Sequence, residues 1–177
     1  DVLESEYIFK NPYCTIRADK CLLPNGQVIE GYAVNEYPDW VNIVAITPDT
    51  EMVFVRQYRH GCGAFFLEIP GGAVDGAEDI HSAIVRELRE ETGYVSEQKP
   101  VLIGSFYTNP ANATNQVHSF LITGAKRKFD QCLDDTEHIE IVKHRFDEVE
   151  TLIKQGEIKQ FFTVAAYYLA KNYVSNL

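Results

Sequence analysis

The chain has 177 residues, of which 45% are hydrophobic and 24% are charged, the composition of an average soluble globular domain. Its formal net charge is −10 at pH 7, which argues against nonspecific binding to nucleic acid or to an anionic membrane surface. No apolar run approaches the roughly 18 residues of a membrane span, and the N-terminus lacks the pattern of a signal peptide. A polyanionic substrate would therefore need a local cation.

The four cysteines are scattered along the chain, without a CxxC pair or a spacing typical of zinc sites. We therefore predict free thiols in a reducing cytosol, rather than a disulfide pair, and a cytoplasmic protein. The cysteines concerned are Cys14, Cys21, Cys62 and Cys132.

Four β-rich segments open the chain. Residues 13–23 and 27–36 flank the turn signal Pro-Asn-Gly at 24–26, where asparagine and glycine tolerate the positive φ of a tight hairpin. Residues 40–47 (WVNIVAIT) and 52–58 (MVFVRQY) flank a second turn. The pattern predicts an N-terminal hairpin followed by a second hairpin.

The periodicity then becomes helical over residues 78–91, with acidic residues in the first turn and Gly93 placed as the C-terminal cap. Further strands are predicted at 101–107, 116–123 and 138–146, and helices at 147–155, stopped by Gly156, and 161–172. Strands, one central helix, more strands and two final helices predict an α+β fold with a mixed sheet.

Three glutamates lie within about one turn of the central helix, at its border with the apolar stripe. They are Glu87, Glu90 and Glu91, and the stripe is formed by Ile84, Val85 and Leu88. On the opposite side Ser82 and Arg89 are expected to face solvent. A helix that needed its glutamates only for solubility would carry them on that solvent side.

Like charges at positions i and i+4 destabilise a helix, and Arg86 can pair with Glu90, which leaves Glu87 and Glu91 short of a partner. A hard divalent cation with oxygen ligands would neutralise them. The alternative is an ordinary charged, solvated helix face, and the helix alone leaves both interpretations open. The preceding Gly71-Gly72 favours the first, because adjacent glycines let the backbone approach a ligand closely.

Gly72 and the three glutamates belong to a longer motif that spans residues 72–94. Gly72, five residues, Glu78, seven residues, Arg86-Glu87-Leu88, one residue, Glu90-Glu91, one residue and Gly93-Tyr94 together resemble the complete Nudix box. Tyr94 departs mildly, since an aliphatic residue is usual there. The resemblance implies an α/β/α sandwich around a mixed sheet that cleaves a nucleoside diphosphate linked to another moiety, using Mg²⁺ or Mn²⁺.

The resemblance also assigns roles to residues of the box. It implies that Glu87, Glu90 and Glu91 ligate metal and that the Gly71 carbonyl adds a ligand. Glu90 and Arg86 are also placed among the catalytic residues, with Arg86 and Glu78 as orienting partners.

Three further segments are similar to the branch of ADP-ribose pyrophosphatases and nucleoside diphosphate sugar hydrolases. They are the RQYR sequence at 56–59, the LEIPGG sequence at 67–72 and Pro110, at the position of a marker proline. In that branch Arg59 would contact substrate phosphates and Glu68 would shape the site. A salt bridge at a strand end is the alternative for Glu68.

The acidic loop at 134–140 resembles the loop that carries the catalytic base, and Glu137 matches the base position best. The alternative is a loop that is only solvated.

Trp40 is assigned to substrate binding by stacking on a base, with a half-buried core residue as the alternative. The loop at 110–115 departs from the branch, because amides and a hydroxyl replace its usual glycine and acidic residue, which leaves the substrate open.

These features predict a metal-dependent pyrophosphohydrolase that converts ADP-ribose or a related nucleoside diphosphate sugar to a nucleoside monophosphate and a sugar phosphate. The alternatives are a noncatalytic Nudix-fold sensor and a nucleoside triphosphate pyrophosphohydrolase. We expect a hairpin extension at residues 1–39, a Nudix domain at 40–177 and, as the resemblance implies, a homodimer formed through the N-terminal strands. No nucleic-acid or membrane partner is expected.

Overall fold

The computed structural model describes residues 1–11 and 14–175. The chain forms two compact units, of which the first contains residues 1–39 together with 106–116 and the second contains the remainder. No helix in the described ranges is long and apolar enough to cross a membrane. All four cysteines are free thiols, as their spacing predicts.

The first unit is built on a three-stranded antiparallel sheet in the order β1 (Val2–Lys10), β2 (Thr15–Leu22) and β3 (Val28–Glu36). The predicted hairpin corresponds to β2 and β3, while Tyr13, where its first strand was predicted to begin, lies outside the described residues. Gly26 has a φ of 84° in the turn, which explains the glycine there. The prediction missed β1, whose residues are exposed on both faces and so show no clear alternation.

The second unit contains a mixed sheet of seven strands. The strands are β4 (Trp40–Ile46), β5 (Glu51–Arg59), β6 (Ala64–Glu68), β7 (Gly71–Ala73), β9 (Val101–Tyr107), β10 (Gln116–Thr123) and β12 (Ile139–Arg145). Five of them follow the order β12-β5-β4-β10-β9, with β6 beside β5 and β7 beside β4. Strand β4 is parallel to β10 and antiparallel to β5 and β7, so the predicted mixed sheet is confirmed.

The described residues of the second unit also form three α-helices, a short 3₁₀ helix and a small two-stranded sheet. The helices are α1 (Ile80–Thr92), α2 (Val149–Gln155) and α3 (Phe161–Ser175), the 3₁₀ helix is His60–Cys62, and the small sheet pairs β8 (Tyr94–Val95) with β11 (Lys126–Arg127).

Both faces of the mixed sheet are covered, which makes the second unit the predicted α/β/α sandwich. Alternate residues of β4 enter different cores: Val41 and Ile43 pack with Ile84 and Leu88 of α1, whereas Val44 packs with residues of α2 and α3. From Val41 onward β4 is therefore a continuous buried run, as expected for a central strand buried on both faces.

Helix α1 begins two residues later than predicted. The Asp79 carboxylate accepts hydrogen bonds from the N–H groups of His81 and Ser82, which makes Asp79 the N-cap and leaves Glu78 outside the helix. Gly93 adopts a φ of 70° and caps the other end, as predicted. Val85, assigned to the apolar stripe, is 46% exposed, so the stripe is narrower than predicted.

Candidate active site

Strand β7 packs very closely against β4 at Gly71 and against the Glu87 side chain of α1 at Gly72. A Cβ on Gly71 would lie 2.2 Å from the Val41 carbonyl oxygen, and one on Gly72 would lie 2.5 Å from the Glu87 carboxylate. Any side chain at either position would push the strand off β4 or the carboxylate out of place. The two glycines thus form the floor of a cradle for the glutamates of α1.

The three glutamates of α1 differ in exposure. Glu91 is 4% exposed, the Glu87 side chain is 14% exposed and the Glu90 side chain is 41% exposed. The Glu91 carboxylate accepts a hydrogen bond of 2.9 Å from the Gly71 N–H. Burial raises the pKa of Glu91 to about 8, and burial also raises the pKa of Glu87, although the Arg86 guanidinium opposes that shift.

Arg86 has more partners than predicted. It donates to Glu78 at 3.0 Å, to Glu87 at 2.8 Å and to Glu90 at 3.1 Å. The expectation that Glu87 lacks a partner is therefore wrong, because the guanidinium has enough donors to reach several carboxylates. The hydrogen bond to Glu78 is the main cause that raises the pKa of Arg86, and the same bond lowers the pKa of Glu78.

Among residues 1–11 and 14–175, no group of three His, Cys, Asp or Glu side chains has the arrangement of a preformed metal site. Arg86 and the Gly71 N–H engage the carboxylates instead. The donor set nevertheless fits a hard divalent cation, because it consists of oxygens.

A cavity of about 540 Å³ adjoins this cradle. It brings together six of the residues that the sequence assigned to the site: Trp40, Arg59, Glu68, Gly71, Glu91 and Glu137. Glu87 lies against Gly72 at the edge of this cavity. Arg86 and Glu90 do not line it and instead line a groove on the outer side of α1.

Arg59 and Glu68 form a two-pronged ion pair at the ends of neighbouring strands. The Arg59 Nε lies 3.1 and 3.2 Å from the two Glu68 carboxylate oxygens, and an Nη lies 2.6 Å from one of them. Glu68 is 4% exposed, whereas the Arg59 side chain is 48% exposed. The salt bridge considered for Glu68 is present, and it fixes the direction of an accessible cation beside Glu91 and Glu137.

Glu137 lies in a turn that precedes β12. Its N–H donates to the Asp134 carbonyl at 2.9 Å, and its carboxylate accepts from the Asp134 N–H at 3.2 Å. Its negative charge is among the causes that raise the pKa values of Glu87 and Glu91, after burial. Glu137 is therefore electrostatically coupled to the cradle while remaining exposed.

The cavity also contains residues that the sequence analysis did not select. Phe162 of α3 meets Trp40 edge to face, with ring centroids 5.9 Å apart. Asn42, opposite Gly71 in the β4–β7 pair, is buried, and its Oδ1 has no hydrogen-bond partner among the residues that the structure describes. Asn42 could have been selected from the sequence because it is the polar residue inside the apolar run WVNIVAIT, whereas nothing in the sequence distinguishes Phe162.

The amide-rich loop at 110–115 has one member with a clear structural task. Asn115 is buried in the first unit, donates to the Pro38 carbonyl at 3.0 Å and accepts from the Thr108 hydroxyl at 2.6 Å. This amide holds the loop to the segment before β4.

The fold and the glutamate cradle define the class of protein. Residues 36–165 match the model of the NUDIX domain, and residues 1–35 match that of the nucleoside diphosphate sugar hydrolase N-terminal domain. The chain therefore belongs to the Nudix family.

Similar proteins place it more closely within the family. The methanol dehydrogenase activator of Bacillus methanolicus is 34% identical over 165 residues, which cover 93% of this chain and 88% of the relative. The ADP-ribose pyrophosphatase of Bacillus subtilis (strain 168) is 29% identical over 161 residues, covering 88% and 84% of the two chains. The crystal structure of an ADP compounds hydrolase covers 99% of this chain and 94% of its own, with a TM-score of 0.86 and 18% identity, and so shares the fold.

Proposed function

We propose that this chain is a metal-dependent pyrophosphohydrolase that cleaves ADP-ribose or a related nucleoside diphosphate sugar to a nucleoside monophosphate and a sugar phosphate. The observation that carries the proposal is the packing of Glu87 and Glu91 against Gly71 and Gly72, beside a cavity that also contains Arg59 and Glu137. The relatives named ADP-ribose pyrophosphatase support the choice of substrate class.

Glu87, Glu90, Glu91 and the Gly71 carbonyl would hold Mg²⁺ or Mn²⁺. A bound divalent ion would neutralise the negative charge of the pyrophosphate oxygens and would lower the pKa of a bound water. Arg86 bonds to Glu87, to Glu90 and, at the same time, to Glu78. The guanidinium would therefore keep its bond to Glu78 if Glu87 and Glu90 held a cation.

The remaining cavity residues would contact different parts of the substrate and the attacking water. Arg59 binds a phosphate with its exposed donors while Glu68 fixes the guanidinium plane. Glu137 accepts a proton from the attacking water, and its exposed position suits exchange of that proton with solvent. Trp40 offers an aromatic surface to the base.

We also propose that the protein is a cytoplasmic homodimer. Five apolar residues of β1 are between 49% and 64% exposed, which is costly for a surface that stays in water. They are Val2, Leu3, Tyr7, Ile8 and Phe9. The free cysteines suit a reducing compartment.

The decisive assay measures monophosphate release with Mg²⁺ from a substrate panel. The panel contains ADP-ribose, GDP-mannose, ADP-glucose, UDP-glucose, diadenosine polyphosphates and nucleoside triphosphates. We expect the highest kcat/KM on ADP-ribose or a nucleoside diphosphate sugar, and no turnover without a divalent ion. Tight binding of a panel member without turnover of any of them would identify a noncatalytic sensor instead. A preference for nucleoside triphosphates would identify a nucleoside triphosphate pyrophosphohydrolase.

A further inference from the structure

The carbonyl end of α1 is capped by a segment that leads directly to the acidic loop. The last carbonyls of a helix have no partner within it and need donors from elsewhere. The Gly93 N–H donates to the Arg89 carbonyl, and the Cys132 N–H donates to the Glu90 carbonyl, both at 2.8 Å. The side-chain amide of Gln131 donates to the Glu91 carbonyl at 2.7 Å.

Gln131 has a second bond, which reaches the other end of the acidic loop. Its Nε2 also donates to the Ile139 carbonyl at 3.1 Å. Ile139 is buried and begins β12, where it pairs with Gln57 of β5. One side-chain amide therefore uses both of its N–H groups to join the end of α1 to the start of β12.

This bridge encloses the turn that carries Glu137. Residues 132–138 form a loop that begins after Gln131 and ends before Ile139. Because the Gln131 side chain bonds to the Ile139 carbonyl, it joins the two ends of this loop. Glu91 is held at two points, by the Gly71 N–H on its carboxylate and by Gln131 on its carbonyl. The position of Glu137 relative to Glu91 thus depends on the half-buried Gln131 amide, together with the backbone bond from the Cys132 N–H to the Glu90 carbonyl.

We propose that Gln131 is a positioning residue, which clips the acidic loop to α1 and holds Glu137 at its working distance from the Glu91 cradle. The proposal rests on the proposed function, because Glu137 matters only if a water is activated there. Gln131 itself touches two backbone carbonyls and acts through Glu137.

The test variant is Gln131→Met, which keeps the length of the side chain and removes both donors. The matched control is Gln98→Met, at an exposed position outside the cavity. With ADP-ribose and Mg²⁺, we expect Gln131→Met to lower kcat by about 10- to 100-fold, the effect of a misplacement of about 1 Å, with little change in KM. Gln98→Met should match the parent.

A double-mutant cycle separates positioning from general stabilisation. In a Glu137→Gln background, Gln131→Met should lower kcat by less than about twofold, because its target is already disabled. Losses that multiply in the double variant would overturn the proposal, as would a Gln131→Met enzyme with the parent kcat. A silent Glu137→Gln would refute both the base assignment and the positioning role, while leaving the metal-dependent hydrolysis in place.

A readout without turnover tests the clip even if the chain proves not to be a hydrolase. Hydrogen exchange of the amides in residues 132–138 should accelerate at least about tenfold in Gln131→Met, because the loop base opens more often. The amides of α2 should exchange as in the parent. Unchanged exchange in residues 132–138 would show that the amide does not hold the loop and would overturn the inference.

Discussion

At the scale of single residues, the buried Oδ1 of Asn42 in the cavity has no hydrogen-bond partner among the described residues. An unpaired buried acceptor costs about 1–3 kcal/mol, and apolar neighbours in β4 surround it in the sequence. The free protein is therefore less stable than its packing allows.

Substitution of this residue gives a direct check. Asn42→Val should raise the free energy of unfolding of the ligand-free protein by about 1–2 kcal/mol in urea denaturation, because the orphan oxygen is removed. The matched change Asn115→Val removes an amide whose bonds to Pro38 and Thr108 are satisfied, and should destabilise the protein. Equal losses in both variants would contradict the account of Asn42.

The buried Glu91 carboxyl predicts a particular pH dependence. Its pKa is raised from 4.5 to about 8 in the folded chain, so the folded state holds the proton more tightly than the unfolded state. The stability contributed by the protonated carboxyl is complete below pH 4.5 and is lost as the pH rises through the interval to about 8. The slope reaches at most about 1.4 kcal/mol per pH unit.

Glu91→Gln removes this titration. In the presence of a chelator, the variant should gain stability over the parent as the pH is raised from 5 to 8, since only the parent must ionise a buried group. Urea denaturation at several pH values measures the difference. A stability difference that does not change across this range would show that Glu91 is not buried as described.

At the scale of elements, β7 and α1 act as one unit whose geometry depends on two glycines. The same substitution at the two positions should have opposite consequences. Gly71→Ala directs a methyl group at the Val41 carbonyl, which is backbone and cannot yield, whereas Gly72→Ala meets the far end of the flexible Glu87 side chain. The first change strains the fold and the second displaces a proposed ligand.

Gly71→Ala should therefore lower the free energy of unfolding by more than about 2 kcal/mol. Gly72→Ala should leave the unfolding of the chelator-treated protein nearly unchanged but weaken the binding of Mn²⁺ at least about tenfold. Urea denaturation and isothermal titration calorimetry measure the two effects. Strong destabilisation by Gly72→Ala with unchanged Mn²⁺ affinity would refute the role given to Glu87.

Elements whose sequence signals lie within one segment could be predicted, whereas elements defined by tertiary contacts could not. Helix α1 was predictable because its period, its cap at Gly93 and the spacing of its glutamates are contained in one segment. Strands β6 and β7 were not, because they are short and their pairing with β5 and β4 is set by tertiary contacts. The same limit applies to Arg86, whose bonds to Glu78 and Glu87 depend on the path of the chain before the helix.

At the scale of the whole molecule, the residues of the proposed site come from distant parts of the sequence. Their types were predictable from spacing and family resemblance, and six of them line one cavity. Their partners were not, since the Arg59–Glu68 pair and the Gln131 bridge depend on how β5, β6 and the acidic loop meet. The exposure of the apolar residues of β1 could equally not be predicted before the strand was placed.

The proposed homodimer predicts a mass in solution of twice 20.1 kDa. Ile8→Glu, at a position 64% exposed in β1, should give a monomer by size-exclusion chromatography with light scattering, because it places a charge in the apolar contact. Val174→Glu, at a position 39% exposed in α3, is the control and should remain dimeric. A parent protein that is monomeric at micromolar concentration would contradict the prediction.

The cation site proposed for the cradle of α1 and β7 can be tested directly. The most direct measurement is Mg²⁺-dependent release of AMP from ADP-ribose by the parent and by Glu91→Gln, with circular dichroism to verify the fold. We predict that the substitution lowers the rate by more than about 100-fold, beyond the losses typical of residues that only orient ligands. A folded Glu91→Gln protein with the activity of the parent would contradict the account.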